Sequence, residues 1–87
     1  MKLADLSDLK NRLTDLARRS PVAGQVKDIL LEPDSDADGE DFLRIIVEIK
    51  NFEGIKDADM EALTVSIENT VSDMDERFPS VRFAEAA

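Results

Sequence analysis

The sequence contains no histidine, cysteine, tyrosine or tryptophan, and only three glycines and three prolines. Without cysteine the chain cannot form disulfides or thiolate metal sites, and without histidine it lacks the commonest nitrogen ligand, so any metal would need oxygen donors. Histidine and cysteine are also the usual bases and nucleophiles near neutral pH. These absences predict a protein that is not an enzyme, with no catalytic residue and no cofactor.

The length and composition predict one small folded domain over residues 1–87. Its 87 residues allow a single modest core, and 43% hydrophobic with 36% charged residues is too apolar for a disordered chain. The first ten residues, MKLADLSDLK, interleave charges with leucines. This pattern is unlike a signal peptide or a membrane span, and we expect a cytoplasmic location.

The formal charge of −9 is distributed unevenly along the chain. Residues 1–27 carry six Lys or Arg against three Asp, whereas residues 28–87 carry five against seventeen acids. The acidic part repels phosphates and anionic lipids. We therefore expect no nucleic-acid or membrane partner, and a protein partner with a basic surface becomes plausible.

Apolar residues recur at helical spacing in two segments. The first segment predicts a helix over residues 2–19 that ends before Pro21, because the residue preceding a proline resists the α conformation. Its stripe consists of Leu3, Leu6, Leu9, Leu13 and Leu16. The second predicts a helix over residues 58–77, with a stripe of Met60, Leu63, Ile67, Val71, Met74 and Phe78.

Three further segments have the composition and alternation of β-strands. They are residues 24–32, residues 42–50 and a short final run at 80–83, followed by a flexible tail at about 84–87. The segment EPDSDADGED between the first two is rich in turn residues and predicts an antiparallel hairpin with a long acidic loop. The expected fold is α+β, a two-layer sandwich in the order α-β-β-α-β, with a three-stranded sheet and two helices.

The position of the first helix is left open by the sequence. Three strands are only about 14 Å wide, while two helices side by side need nearly 20 Å. The first helix could cover the far face of the sheet, overhang the sheet and dock on a second molecule, or share one face of a sheet that is widened by pairing with another copy.

The outward side of the sheet is the predicted partner interface. Placing Ile29 and Leu31 inward avoids burying Asp28 and turns an apolar and basic set outward. This set is Val26, Leu30, Phe42, Arg44, Ile46 and Arg82, with Lys50 beside it. The leucine stripe of the first helix is a second candidate interface, formed by Leu6, Leu9, Leu13 and Leu16.

The acidic loop contains a partial calcium-binding pattern. Asp34, Asp36 and Asp38, followed by Gly39, resemble the first half of an EF-hand loop, in which alternate carboxylates converge on one ion. The second half does not match, because Ile45 stands where the pattern needs a bidentate Glu and the flanking segments are strands. These three aspartates are therefore weak metal candidates, and a solvated loop is the preferred interpretation.

Two other charged clusters are interpreted as solvated helix faces. The first contains Lys10, Arg12, Arg18 and Arg19, with Asp8 and Asp15 placed to form ion pairs four residues apart. The second contains Glu61, Glu68 and Asp75, which lie opposite the apolar stripe of the second helix. Neither cluster has the aromatic or histidine neighbours that nucleic-acid binding or catalysis would use.

By elimination, the leading hypothesis is a non-catalytic protein-binding module. In its most specific form, this module is a small acidic accessory or inhibitory protein of bacterial type. An antitoxin or immunity protein that neutralises a basic partner is the example. The alternative is a self-associating structural module, a homodimer formed through a sheet edge or through the first helix. A calcium-binding protein that uses the loop from Asp34 to Gly39 is the third possibility.

Overall fold

The computed structural model describes residues 2–86 and shows the order α-β-β-α-β that the sequence predicts. The elements are α1 (Leu6–Arg18), β1 (Val26–Ser35), β2 (Asp41–Ile49), α2 (Asp57–Met74) and β3 (Phe78–Glu85). The predicted α+β fold with a three-stranded sheet is confirmed. Neither helix in this part of the chain is long and apolar enough to cross a membrane.

Helix α1 begins later than the leucine spacing predicts. Asp5 is its N-cap, and the Asp5 carboxylate accepts a 3.1 Å hydrogen bond from the backbone N–H of Asp8. This bond satisfies one of the free amides at the helix start, so Leu3 lies outside the helix and is exposed. At the other end, the Ser20 hydroxyl donates to the Ala17 carbonyl, and the chain turns before Pro21.

The sheet has β2 at its centre, antiparallel to β1 and parallel to β3. The parallel return of β3 follows from α2, which supplies the long crossover that a parallel pair requires. On one side of the sheet, every second residue of β2 is fully buried: Leu43, Ile45, Val47 and Ile49. Ile29 of β1 is buried on this side too, as predicted.

The predicted orientation of Val26 is wrong because β1 is irregular at its start. Val26 pairs with Ile49 and Asp28 pairs with Glu48, so one extra residue, Lys27, lies between the two pairs. An extra residue reverses the alternation of side chains on one side of the irregularity. Val26 consequently packs against the core instead of pointing outward with Leu30.

Both helices lie on the same side of the sheet, with α1 over β1, α2 over β3 and the two helices in contact with each other. The idea that α1 covers the far face is therefore wrong. Each helix covers one edge strand, so the pair spans the sheet without a fourth strand. Their buried residues join those of the sheet in one core: Leu9, Leu13, Ala17, Leu63, Ile67 and Val71.

The end of α2 and the start of β3 differ from the prediction. Helix α2 ends at Met74, and Phe78, assigned above to the stripe of the helix, is the first residue of β3. The physical reason is Pro79, which disfavours the α conformation at the residue before it. The predicted flexible tail is also shorter, because Ala84 and Glu85 belong to β3 and the Ala86 N–H donates to the Ile49 carbonyl. Ala87 lies outside the described residues.

Candidate interaction face on the uncovered side of the sheet

The side of the sheet opposite the helices is uncovered in the part of the chain that the structure describes. We call it the open sheet face. The strand register places twelve outward residues on it in three columns. These are Asp28, Leu30, Glu32 and Asp34 from β1, Phe42, Arg44, Ile46 and Glu48 from β2, and Phe78, Ser80, Arg82 and Ala84 from β3.

Apolar side chains form the middle and one end of the open sheet face. Leu30 pairs with Ile46 across the β1–β2 ladder, and Phe42 pairs with Phe78 across the β2–β3 ladder. Leu30, Phe42 and Ile46 are half-buried, whereas 69% of Phe78 is exposed. The row of Glu32, Arg44 and Ser80 lies between these two apolar pairs. Large apolar side chains on a sheet face that nothing covers are the usual mark of an interaction surface.

Arg44 forms salt bridges with two acidic residues of the open sheet face. Its guanidinium forms salt bridges of 3.4 Å to Glu32 and 3.0 Å to Asp34, and its Cζ lies 5.3 Å from the centre of the Phe42 ring. The pKa of Asp34 is lowered by the hydrogen bond from the Ser35 N–H and by the one from Arg44. The same Asp34 contact raises the pKa of Arg44. Asp34 and Arg44 are therefore both charged at neutral pH.

Arg82 is the other cation of the open sheet face. It lies on β3 beside Ile46 and is exposed. It forms no salt bridge with any residue between 2 and 86, although Glu48 is its diagonal neighbour on β2. The open sheet face thus presents one cation whose charge is not compensated by a direct contact within the described chain.

The structure places one part of the predicted interface on the open sheet face and the other part in the core. Leu30, Phe42, Arg44, Ile46 and Arg82 share the open sheet face, as the alternation predicts. Leu9 and Leu13 are fully buried, and Leu6, Leu16 and Val26 pack against the same core. The leucine stripe of α1 is thus part of the domain's own core, and its predicted role as an interface has to be corrected.

Phe78 is the functional candidate that sequence reasoning missed. The helical spacing of the preceding apolar residues assigned it to the second helix. The alternation Phe78, Ser80, Arg82 and the proline at position 79 could have identified it as the first outward residue of a strand.

The loop between β1 and β2 is held by its own hydrogen bonds. The Asp36 Oδ1 atom accepts 2.9 Å bonds from the N–H groups of both Asp38 and Glu40, and Gly39 takes a positive φ of 82°. Asp34 points instead to Arg44. The three weak metal candidates Asp34, Asp36 and Asp38 therefore do not converge, and no group of three or more acidic residues within residues 2–86 is arranged to hold a metal ion.

The basic cluster of α1 is solvent-facing, but its ion pairs differ from those predicted. Lys10 reaches Asp28 of β1 at 3.5 Å, and Arg18 lies 3.9 Å from Asp15, three residues away instead of four. Arg19 instead donates to the backbone carbonyl of Asp15. Of this cluster, Lys10 therefore links α1 to β1, whereas Arg18 and Arg19 contact Asp15 of α1 itself.

Asp75 is buried, which corrects its predicted place on an exposed acidic ridge with Glu61 and Glu68. Its side chain is 0% exposed and accepts four hydrogen bonds. The Ala4 N–H and the Arg77 Nη2 donate to Oδ2 at 2.9 and 2.7 Å, and the Arg77 backbone N–H and Nε donate to Oδ1 at 2.8 and 3.0 Å. This carboxylate therefore joins the segment before α1, the end of α2 and the start of β3.

The hydrogen bonds of Asp75 also determine its ionisation. Burial by itself would raise the pKa of Asp75, but the bonds from Arg77 and Ala4 outweigh burial and lower this pKa to about 2. The Asp75 contact in turn raises the pKa of Arg77. The pair is a charged structural contact at neutral pH and has no proton to exchange there.

Comparison with known proteins extends the description of the fold. No protein-family model and no curated protein matches the sequence. Among solved structures, a single-substitution variant of the MamM C-terminal domain covers 94% of this chain and 96% of that domain, with a TM-score of 0.54 and 14% sequence identity. A second variant and a copper form of a variant each cover 95% of this chain and 100% of the other, with a TM-score of 0.54 and 13% identity. At such identities the likeness shows the fold alone, that of an α+β domain.

Proposed function

We propose that this chain is a non-catalytic protein-interaction module that self-associates through the open sheet face. The observation that carries the proposal is two apolar pairs, Leu30 with Ile46 in the middle of the face and Phe42 with the exposed Phe78 at one end. They lie on a sheet whose helices both pack on the other side. Burying such a face against a second copy would remove apolar surface from water.

The edges of the sheet are poorer sites for self-association than its face. Edge strand β1 contains Pro33 and the irregularity between Val26 and Asp28, and edge strand β3 contains Pro79. Proline removes a backbone donor, and bulges twist an edge away from a partner strand, so natural proteins use both to prevent edge pairing. These features favour association through the face over the sheet-edge homodimer considered from the sequence.

The size of the face predicts weak, concentration-dependent association. Three strands about 4.8 Å apart and eight residues at about 3.3 Å each give a footprint of roughly 14 by 26 Å. Stable complexes bury about 800 Å² per partner, and a flat footprint of this size is smaller. We therefore expect a dimer that forms in the micromolar range or above.

The comparisons fit this proposal better than the inhibitor hypothesis. The fold shared with the MamM C-terminal domains fits a self-associating module, and it gives no support to an antitoxin or immunity protein. The absence of histidine and cysteine, together with an Asp75 carboxylate held in a salt bridge, supports a non-catalytic role.

Sedimentation equilibrium over a wide concentration range tests the proposal with two matched variants. Ile46→Glu puts a charge into the apolar centre of the open sheet face. Val65→Glu makes the same kind of change at an apolar residue of α2 that is 48% exposed and lies on the other side of the molecule. Circular dichroism checks that both variants keep the native fold.

We expect the native chain and Val65→Glu to dimerise alike and Ile46→Glu to remain monomeric. A native chain that stays monomeric at millimolar concentration contradicts the proposal, and so does a folded Ile46→Glu variant that dimerises normally. A native monomer that instead binds a basic protein through the same face would replace self-association by the heterologous alternative.

A further inference from the structure

We infer that a cleft between α1 and the start of edge strand β1 binds a small phosphate-bearing anion. We call it the basic cleft. Its volume is about 290 Å³, and its polar lining consists of Lys10, Thr14, Arg18, Lys27 and Asp28. Of these five, only Asp28 also has a place on the open sheet face. The inference therefore goes beyond the proposed self-association and does not depend on it.

Helix α1 contributes three of the polar groups from one face. Lys10, Thr14 and Arg18 follow each other at intervals of four residues, which places their side chains on the same side of a helix. The contact of Arg18 with Asp15 is long, at 3.9 Å, and joins side chains that are 75% and 67% exposed. Exposed ion pairs of this kind are weak. The Arg18 guanidinium is thus available to an anion in the basic cleft.

The hydroxyl of Thr14 differs from that of the corresponding threonine in the other helix. The Thr64 hydroxyl of α2 donates a 3.0 Å hydrogen bond to the Met60 carbonyl, one turn earlier, which is a common arrangement for threonine inside a helix. Thr14 makes no such bond within residues 2–86, although it too lies inside a helix and is half-buried. Its hydroxyl is left to donate to a ligand.

The irregularity of β1 brings the fourth donor to the same place. Lys27 is the extra residue between the Val26–Ile49 and Asp28–Glu48 pairs, and its side chain lines the basic cleft. Bulges commonly redirect a side chain beside a functional site. In the part of the chain that the structure describes, Lys27 forms no salt bridge.

The charge of the basic cleft is opposite to that of the whole chain. Three cations line it, and Asp28, which lies 3.5 Å from Lys10, is the one acid among the lining residues between positions 2 and 86. This leaves an excess of two positive charges in a chain of formal charge −9. A cleft lined by one sign of charge concentrates counter-ions. A phosphate monoester carries about −1.5 to −2 near neutral pH, which matches this excess.

The size of the basic cleft restricts the ligand to a small molecule. At about 30 Å³ for each water, its 290 Å³ corresponds to roughly ten water molecules. That is room for a phosphate group and a short carbon chain, and it lies near the lower end of the range for small-molecule pockets. The buried side chains of Ala17 and Ile29 supply an apolar lining for the carbon chain.

Titration of the ¹⁵N-labelled chain followed by NMR tests the inference, with inorganic phosphate and glycerol 3-phosphate as the probes. Sodium chloride keeps the ionic strength constant. We expect the amide signals of residues 10–18 and 26–29 to shift and to saturate with a Kd of roughly 1 mM or lower. Tighter binding of glycerol 3-phosphate assigns the site to organic phosphates, and equal binding assigns it to free phosphate. Shifts that do not saturate, or that sodium chloride alone reproduces, overturn the inference.

Charge variants show whether the side chains of the basic cleft are responsible. Lys27→Glu should weaken binding by about tenfold or more. Arg12→Glu makes the same charge change at an exposed residue of α1 outside the cleft, and screening should keep its effect within about twofold. A Lys27→Glu variant that keeps the native circular dichroism spectrum and binds phosphate normally contradicts the inference.

Removing the acid of the basic cleft should have the opposite effect. Asp28→Asn leaves Lys10 without its carboxylate partner and should tighten binding several-fold, whereas Asp73→Asn, the same charge change at the end of α2, should not. Unchanged or weaker binding in folded Asp28→Asn contradicts the assignment of Lys10 to the site.

Repeating the titration with Ile46→Glu separates this inference from the proposed function. Ile46 lies on the open sheet face and does not line the basic cleft, so phosphate should bind equally well to the native chain and to this variant. A native chain that binds phosphate but never dimerises refutes self-association and leaves the anion site in place. A chain that dimerises but does not bind phosphate refutes the anion site alone.

Discussion

Replacing Asp75 by Asn tests the role of this carboxylate in joining the segment before α1 to the end of α2 and the start of β3. The Asp75 carboxylate accepts hydrogen bonds from the Ala4 N–H, the Arg77 N–H and two guanidinium nitrogens of Arg77. Asparagine has nearly the same shape, but one of its two terminal groups is a donor. In either orientation the amide nitrogen replaces an oxygen that accepts two of these four bonds, so two bonds are lost and the guanidinium loses its counter-charge.

The expected cost follows from the ionisation of Asp75. Its pKa falls from an ordinary value of 3.8 to about 2 in the folded chain. At about 1.4 kcal/mol per pKa unit, the folded structure favours the charged over the neutral acid by roughly 2 kcal/mol. Removing one partner of a buried pair also leaves the other group unsatisfied. We expect Asp75→Asn to lower the free energy of unfolding by about 2–4 kcal/mol at pH 7.

The pKa of Asp75 also predicts how its contribution to stability changes with pH. Because the pKa of Asp75 is lower in the folded than in the unfolded chain, its contribution is fully present above about pH 4 and is lost as the pH falls through about 2. The other carboxyl groups are common to both proteins, so their contributions cancel in the difference. The difference in stability between the native chain and Asp75→Asn should therefore shrink by roughly 2 kcal/mol between pH 4 and pH 2.

Urea unfolding followed by far-ultraviolet circular dichroism measures this difference, because the chain has no tryptophan or tyrosine for fluorescence. Asp73→Asn is the matched control, an exposed acid two residues away. It should change stability by less than about 0.5 kcal/mol. A cost at pH 7 no larger than that of the control, or a cost that stays constant down to pH 2, would refute the role assigned to Asp75.

Three further predictions concern the core, the loop and the open sheet face. Leu13→Ala removes a fully buried side chain of α1 and should lower the free energy of unfolding by about 2–5 kcal/mol in the same urea experiment. In Gly39→Ala the added Cβ meets no neighbouring atom, but alanine has to adopt the positive φ of 82°. We expect this substitution to lower the free energy of unfolding by about 1 kcal/mol without changing the circular dichroism spectrum of the native state. Phe78→Ser should leave the urea midpoint nearly unchanged, because 69% of Phe78 is exposed, yet weaken dimerisation measured by sedimentation. A Phe78→Ser variant that unfolds easily and dimerises normally would show that this residue belongs to the core.

The local patterns of the chain were sufficient to predict its elements and most of the candidate face. Alternation in β2 correctly predicts that Leu43, Ile45, Val47 and Ile49 are buried, and it places Arg44 and Ile46 on the other side. Helical spacing identifies both helices. These predictions succeed because the direction of a side chain within a helix or strand depends on the period of that element, and the period can be recognised from the order of neighbouring residues.

The remaining features depend on contacts between distant segments. Val26 turns inward because β1 carries an extra residue relative to β2, which no pattern within β1 alone reveals. Asp75 is buried because Arg77 and Ala4 meet it at the junction of three segments, whereas its spacing from Glu61 and Glu68 indicates an exposed ridge.

The amino-acid sequence by itself determined which elements form, in which order, and which side of each strand is apolar, because these properties follow from local periodicity and turn chemistry. Only the tertiary structure decided that both helices pack on one side and leave Leu30, Ile46, Phe42 and Phe78 facing solvent. That choice depends on how the helices pack against each other and against the edge strands, an interaction between segments up to several tens of residues apart in the chain.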